Sequence, residues 1–175
     1  MHSDSQKRCS FVALILATGD ARRYAFDVDD NPGLLYNCLT NEEKIMDIIM
    51  DTSALIAVIL NEPEKKTIIK ATTGNTLVAP ESIRWEIGNA FSVMFKQNRI
   101  NLRLAQKALS IFEVIPIRYL DVDFNHSLKL AHDNKMYAYD AYFLDCAIRH
   151  KSPLITLDGK MKAKAKNRGI NVLEV

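Results

Sequence analysis

The sequence has few cysteines, and their spacing supports neither a disulfide framework nor a zinc site. Its 175 residues include 3 cysteines, Cys9, Cys38 and Cys146. They form no CxxC pair and no Cys/His spacing typical of zinc ligation. A sparse, odd-numbered set is typical of proteins in a reducing compartment, so we expect a cytoplasmic protein.

The sequence also lacks any long apolar run, and residues 46–175 contain no repeat or low-complexity linker. No stretch approaches the roughly 20 apolar residues that span a bilayer, so we expect no membrane association. The composition, 48% hydrophobic and 25% charged, is ordinary for a globular protein. A chain of this length has enough residues for one domain with a full hydrophobic core.

Residues 1–45 differ from the remainder of the chain. They carry 5 Lys/Arg against 7 Asp/Glu and show no sustained helix or strand period. The stretch "KRCSFVALILATGDA" imitates a short signal peptide. Met46 and Met50 would both be natural starts for a domain, so a leader read from an upstream start codon is the competing hypothesis. We therefore predict an N-terminal extension over 1–45 and one domain over 46–175.

The predicted domain alternates short apolar runs with longer helical patterns. "DIIMD", "TLVAP", "IPIRYLDV", "PLITLD" and "INVLEV" have the composition of buried strands. We expect Ser53, Pro80 and Asp123 to stand at the starts of helices between them. Near-continuous apolar strands alternating with helices indicate an α/β fold with a parallel sheet covered on both faces.

Two aspartates follow apolar strands at equivalent places. Asp51 comes directly after "IIM" and Asp158 directly after "LITL". Either residue alone would be explained as a helix cap or a turn residue. In parallel sheets, however, sites form where strands end at their carboxyl edge, so the pair indicates a site if the two strands are neighbours.

Two further acids lie on predicted helices. Glu86 falls at the edge of an apolar stripe, with Asn89 one turn later, and we expect both to face the protein; a boundary glutamate reaching for water is the alternative. Asp140 begins the helix "YDAYFLDCA", where a capping role is again the alternative. Asp145 lies about 140° around that helix from Asp140, so we prefer Asp140 and treat Asp145 as structural or a second-rank candidate.

Four converging carboxylates would repel one another strongly. Two of them about 4 Å apart repel by roughly 4 kcal/mol at an effective dielectric of 20, so protonation or a cation must accompany them. Because these candidate ligands are all oxygens, they favour a hard divalent ion, Mg²⁺ or Mn²⁺. Such ions activate water and stabilise leaving oxygens in phosphodiester hydrolysis.

The remaining domain is mildly basic. Residues 46–175 hold 18 Lys/Arg against 14 Asp/Glu, which suits a polyanionic partner. Lys160, Lys164 and Arg168 share one face of a predicted helix after Asp158, so contact with an RNA backbone is geometrically possible; a solvated helix is the alternative. We interpret His126, His132 and His150 as surface residues and Trp85 as a packing residue.

The blocks "MDTSALIAVILNEPE", "PESIRWEIGNAF", "MYAYDAYFLDCAIRHKSPLITLDGKM" and "GINVLEV" resemble the PIN-domain nucleases, and within them the VapC-type toxins of toxin–antitoxin pairs. The resemblance covers residues 46–175. It implies a three-layer fold with a five-stranded parallel sheet in the order 3-2-1-4-5. It also implies Mg²⁺-dependent endoribonuclease activity, a homodimer, and neutralisation by a cognate antitoxin protein.

The resemblance assigns roles to individual residues. Asp51 and Asp140 would bind the metal, Glu86 would complete the site and orient the attacking water, and Asp158 would be a fourth acid. Ser53, Asn89 and Thr156 would support these ligands. The sequence departs from the family in residues 1–45, which have no counterpart, and at Gly159, where many members carry a larger polar residue.

Three other interpretations are open from the residues alone. One is a PIN-fold RNA-processing nuclease outside toxin–antitoxin systems, and another is a PIN-fold module that binds RNA or protein without cleavage. The third is a receiver-like or phosphotransferase domain, which also places aspartates at strand ends. Phosphotransferases of the haloacid dehalogenase type need a second acid two residues after the first, where this chain has Ser53.

Overall fold

The computed structural model describes residues 45–175. Predictions made for residues 1–44, including the signal peptide and the leader, lie outside the described residues. Within this range the alternation of strands and helices is confirmed. In chain order the elements are β1 (Asp47–Met50), α1 (Thr52–Ile59), α2 (Lys65–Thr72), β2 (Thr76–Pro80), α3 (Ile83–Lys96), α4 (Leu102–Phe112), β3 (Ile117–Leu120), α5 (Phe124–Asn134), α6 (Ala138–His150), β4 (Leu154–Ile155) and α7 (Gly159–Asn167).

The sheet has four parallel strands in the order β3-β2-β1-β4. Its two central strands are apolar and buried almost throughout, as "DIIM" and "TLVAP". Burial on both faces needs helices on both sides, and this explains why these strands show no alternation of polar and apolar residues. The parallel α/β architecture predicted from the sequence is therefore confirmed.

The prediction of a fifth strand is wrong for the described chain. The segment around Val172 forms one isolated parallel bridge with Leu154. Leu154 donates its N–H to the carbonyl of Asn171 at 2.9 Å and accepts from the N–H of Leu173 at 2.9 Å. Strand β4 is only two residues long, and only its Leu154 bonds to this segment. The segment therefore has too few partners to form a fifth strand.

Two helix starts also differ from the sequence predictions. Asp51, and not Ser53, is the N-cap of α1, because Asp51 is extended and its carboxylate accepts from the N–H of Ser53. Pro80 does not open α3, because it completes β2 opposite Leu120. The predicted cap of α5 is confirmed, since Asp123 accepts from the N–H of His126 at 3.0 Å.

The core lies between the sheet and the helices on its two faces. Helix α1 is buried over seven of its eight residues, so it sits inside the molecule immediately after the central strand β1. Among the largest fully buried side chains are Phe143, Ile48, Ile49 and Leu144. No helix within residues 45–175 combines the length and the apolarity needed to cross a bilayer.

Candidate active site

Asp51 leaves the central strand and caps the helix that follows. Its side chain is buried, with the residue 8% exposed. The Oδ2 atom accepts hydrogen bonds from the hydroxyls of Ser53 at 2.5 Å and Thr156 at 2.6 Å. These donors are neutral, and no ion pair to Asp51 occurs among the described residues. The carboxylate is therefore oriented by hydrogen bonds without being neutralised by a cation.

The same two hydroxyls join β1 to the loop after β4. The hydroxyls of Ser53 and Thr156 lie 3.2 Å apart. The hydroxyl of Ser53 accepts from the N–H of Leu157 at 2.9 Å, and that of Thr156 accepts from the N–H of Asp158 at 3.1 Å. Because β1 and β4 are hydrogen-bonded neighbours, this network holds the two strand ends in a fixed relation.

Glu86 approaches Asp51 from the first turn of α3. Thr52 donates its hydroxyl to Oε2 at 3.0 Å, and Ser82 donates to Oε1 at 2.9 Å. The pKa of Glu86 is raised to about 7, chiefly by burial and also by the negative charges of Asp51 and Asp140, while the hydroxyls of Ser82 and Thr52 oppose the shift. Glu86 therefore titrates near neutral pH in a site rich in negative charge.

Asp140 lies half-buried in the first turn of α6. Burial raises its pKa, and so do the negative charges of Asp51 and Asp158, whereas Lys164 lowers it. Together with the influence of Asp51 and Asp140 on Glu86, these effects place Asp140 within electrostatic range of the other three acids. The structure thus brings Asp51, Glu86, Asp140 and Asp158 to one edge of the sheet.

Asp158 occupies the exposed side of this group. It is the N-cap of α7, and its Oδ1 accepts from the N–H groups of Lys160 at 2.7 Å and Met161 at 3.3 Å. Asp158 therefore has both features that the sequence suggested: it caps a helix, and it lies near another acid of the site.

An open pocket of about 510 Å³ adjoins Asp140 and Asp158. Its volume falls within the range of small-molecule sites. Two methionines, Met136 and Met161, line the pocket together with six polar, charged or aromatic residues, namely Lys135, Tyr137, Asp140, Asp158, Lys160 and Lys164.

Several predicted residues do not join this group. Asn89 is exposed, which contradicts the prediction that it faces inward. The buried stripe of α3 consists of Ile83, Ile87, Phe91 and Met94, and at 100° per residue Asn89 lies roughly 150° from its centre. Trp85 is 62% exposed, so the prediction that it packs is also wrong.

The predicted basic face of α7 divides in two. Lys160 and Lys164 line the pocket, whereas Arg168 turns to the end of α5. Arg168 donates to Asn134 at 3.4 Å and pairs with Asp133 at 3.7 Å. The charge of Arg168 is thus partly neutralised away from the acids.

Asp145 has the structural position that the sequence suggested for it. It is fully buried and accepts from the backbone N–H of Asp123 at 3.0 Å. It also lies 2.6 Å from Nδ1 of His126 and 3.4 Å from Arg149. His126 is therefore a partner that ties α5 to α6, which corrects its interpretation as a plain surface residue.

The sequence interpretation missed Thr52 and Ser82, the two hydroxyls that hold Glu86. Ser82 stands four residues before Glu86, a separation at which side chains on a helix meet, so the spacing was a usable signal. Thr52 had a weaker signal, because only the neighbouring Ser53 was matched to a known pattern. The pocket residues Lys135 and Tyr137 were also missed: Lys135 meets α7 through tertiary packing, whereas Tyr137 stands only three residues before Asp140 and was a usable signal.

The chemical type of the candidate ligands suits a hard divalent ion. All four acids offer oxygen, and their mutual repulsion favours a cation among them. Within residues 45–175, however, no three His, Cys, Asp or Glu side chains are gathered closely enough to form a ready-made ion cage. Mg²⁺ keeps several waters and commonly takes only one or two protein carboxylates together with substrate phosphate oxygens, so Asp51 and Asp140 are the residues that would hold it.

Comparisons with known proteins agree with this architecture. The family model described as "PIN domain" matches residues 48–167. The crystal structure of PAE2754 from Pyrobaculum aerophilum shares the fold, with a TM-score of 0.51 and 23% identity, over 68% of this chain and 79% of that one. No curated protein sequence matches the chain. The family match extends over well more than half of the sequence and includes all four acids: the chain belongs to the PIN domain family.

Proposed function

We propose that this protein is a divalent-metal-dependent endoribonuclease that hydrolyses RNA phosphodiester bonds, with Mg²⁺ as its metal and Mn²⁺ as a possible substitute. PIN domains are generally nucleases, and PIN-domain nucleases generally use divalent metals. The proposal adds to that family-level activity an RNA substrate and named residues.

The observation that carries the proposal is the environment of Asp51. It is buried, fixed by hydroxyls, and surrounded by acids instead of cations. A buried carboxylate without a cation costs free energy, so such a cluster is a poor device for stability alone. The pKa values of its neighbours Glu86 and Asp140 are raised, and because perturbed pKa values concentrate at functional sites, the cluster supports a catalytic centre.

Asp51 and Asp140 would hold the ion, directly or through water, and Asp158 would assist from the exposed side. A bound divalent ion would lower the pKa of an attacking water and stabilise the charge on the leaving oxygen. Glu86, with a pKa of about 7, is partly ionised at neutral pH and suited to accept a hydrogen bond from that water or orient it. Ser53 and Thr156 keep Asp51 in one orientation.

The biological role that the sequence resemblance favours is the toxin of a toxin–antitoxin pair. In that role the protein would act in the cytoplasm as a homodimer, cleave RNA to leave 5′-phosphate and 3′-hydroxyl ends, and be neutralised by a cognate antitoxin protein. An RNA-processing nuclease outside such systems would share the chemistry but would not arrest growth.

The test is cleavage mapping of total RNA after induced expression of the wild type and of Asp51→Asn. We expect new 5′-phosphate ends and growth arrest with the wild type only, and loss of cleavage in vitro when EDTA removes divalent ions. Cleavage without growth arrest would favour the processing nuclease. Equal cleavage by Asp51→Asn would contradict the proposed site, and a trapped aspartyl phosphate would support a receiver-like domain.

A further inference from the structure

The pocket beside the acids has features of its own. Three lysines, Lys135, Lys160 and Lys164, line it together with Tyr137 and the carboxylates of Asp140 and Asp158. None of the three ammonium groups has a carboxylate within ion-pairing distance among the described residues. Lys164 donates to the backbone carbonyl of Lys135 at 3.4 Å, which joins α7 to the turn between α5 and α6.

The other lysines of α7 behave differently. Lys166 pairs with Glu174 at 2.7 Å, and Lys162 lies 3.9 Å from the same carboxylate. The helix therefore carries two rows of lysines, one neutralised by the C-terminal segment and one directed to the pocket. The unneutralised row, Lys160 and Lys164, is spaced by four residues, so its members lie on one helix face.

Two tyrosines at the start of α6 also differ in their contacts: one packs on another ring, and the other does not. Tyr139 packs edge-on against Tyr142, with ring centroids 5.7 Å apart. Tyr137 is 83% exposed and has no aromatic partner in the described part of the chain. Tyr137 is the extended residue directly before α6, and it lines the same pocket as Asp140. An exposed ring beside lysines and a reacting centre can stack on a base.

We infer that this pocket is a nucleotide subsite, in which Tyr137 stacks on one base of the substrate while Lys135, Lys160 and Lys164 contact the adjoining phosphates. The inference rests on the proposed function for its substrate class, since it places one nucleotide next to the bond that is cut. Tyr137 is a positioning residue in this arrangement. The volume of about 510 Å³ admits one nucleotide.

The subsite can be tested by binding alone, without metal or turnover. The probe is a fluorescein-labelled single-stranded 12-mer RNA of mixed sequence, measured by anisotropy with the full-length chain in EDTA. Losing a base–aromatic stack typically weakens binding by roughly 5- to 150-fold, so we expect an effect in this range for Tyr137→Leu. Tyr137→Phe, which keeps the ring, should bind like the wild type.

Matched controls separate the subsite from general effects on the fold. Tyr139→Leu removes an exposed tyrosine of the same helix outside the pocket and should leave the affinity unchanged. Lys160→Ala with Lys164→Ala should reduce the slope of log affinity against log salt by about 1.4, which is 0.7 for each lost phosphate contact on a single strand. Lys162→Ala with Lys166→Ala should change the slope much less, because Glu174 already holds those two charges.

Equal affinity of Tyr137→Leu and wild type would overturn the stacking role, and equal salt slopes for the two lysine pairs would overturn the phosphate contacts. These outcomes remain distinct from failure of the proposed function. If the wild type cleaves RNA in Mg²⁺ while Tyr137→Leu has unchanged binding and KM, the nuclease stands and the subsite fails. If Tyr137→Leu loses binding and no RNA is cleaved, the subsite stands and the nuclease proposal fails.

Discussion

Two buried aspartates of this protein, Asp51 and Asp145, have contrasting hydrogen-bond and ion-pair partners. Asp145 is fully buried and meets His126, Arg149 and a backbone N–H. Asp51 is nearly as buried but meets only neutral donors and has other acids nearby. Burial alone thus does not distinguish a structural acid from a functional one. The partners differ: Arg149 supplies a positive charge to Asp145, whereas no described side chain forms an ion pair with Asp51, so a bound cation would complement Asp51.

The largest expected effect comes from removing the charge of Asp51. Asp51→Asn keeps the size and the capping ability of the side chain, so the fold should persist. We expect kcat for RNA cleavage to fall by at least roughly a thousandfold, beyond the 10- to 100-fold typical of losing an outer partner of a metal site. Thermal unfolding of the same sample provides the control, and its midpoint should stay equal or rise, since repulsion with Glu86 and Asp140 is relieved. A variant that unfolds at lower temperature would contradict the assignment.

The matched change at the other aspartate should have the reverse result. Asp145→Asn removes the carboxylate that His126, Arg149 and the backbone N–H of Asp123 contact, and one hydrogen bond to a charged group contributes about 1.5–3 kcal/mol. Because the side chains of His126 and Arg149 are about a third exposed, water replaces part of the lost contacts, and we expect a total decrease of about 3 kcal/mol in the free energy of unfolding measured in urea. The activity per folded molecule should remain near that of the wild type. A stable but inactive Asp145→Asn would break the comparison.

Glu86 links the charge of the cluster to stability through pH. Its pKa is raised to about 7 in the folded protein from a usual value of 4.5. Between these values the folded state binds more protons than the unfolded state, so the free energy of unfolding falls as the pH rises through this window. In the wild type we expect the free energy of unfolding to decline across this window by an amount on the order of 2 kcal/mol, and in Glu86→Gln we expect this decline to be absent. The expected amount is smaller than the full pKa shift implies, because water reaches part of the side chain.

The measurement is urea unfolding at pH 5, 6, 7 and 8 in EDTA for wild type and Glu86→Gln. The difference between the two curves isolates Glu86 from other titrating groups. Parallel curves would show that Glu86 titrates normally and would remove it from the coupled cluster.

The smallest effect is expected from the hydroxyl of Thr52. Its hydrogen bond to Glu86 favours the ionised carboxylate, so Thr52→Val should raise the pKa of Glu86 further and move the rise of activity with pH to higher values. At neutral pH the loss should be less than about tenfold, because a hydrogen bond to a charged group at the lower end of its range, about 1.5 kcal/mol, corresponds to about one pKa unit. Thr73→Val, which removes an exposed hydroxyl bonded to the carbonyl of Ile69, is the matched control and should leave the pH profile unchanged.

Much of the fold was predictable because the strands are nearly continuous apolar runs. Burial on both faces leaves a local signal of this kind in "DIIM" and "TLVAP". The fifth strand was not predictable, because "INVLEV" has the composition of a strand and its failure depends on the two-residue length of its neighbour β4. Pairing partners are a tertiary property that one segment cannot report.

The acids of the site were predictable because strand ends and helix starts fix their positions. Asp51, Asp140 and Asp158 each follow a recognisable boundary, and the sheet order then places them together. The predictions for Asn89 and Trp85 were wrong. When the helical period is centred on the residues of α3 that are buried, both side chains point outward. The partners of His126 and Arg168 come from other elements, so their pairing required the packed structure.

The measurement that tests the central claim most directly is calorimetric titration of Mn²⁺ and of Mg²⁺ into the wild type, Asp51→Asn and Asp145→Asn at pH 8. At this pH Glu86 is largely ionised, so the negative charge of the cluster, and with it the attraction for a cation, is near its maximum. We expect the wild type and Asp145→Asn to bind with equal affinity and Asp51→Asn to bind at least about tenfold more weakly. Equal binding by all three proteins, or no binding by the wild type, would contradict the claim that the acids around Asp51 form a metal-dependent active site.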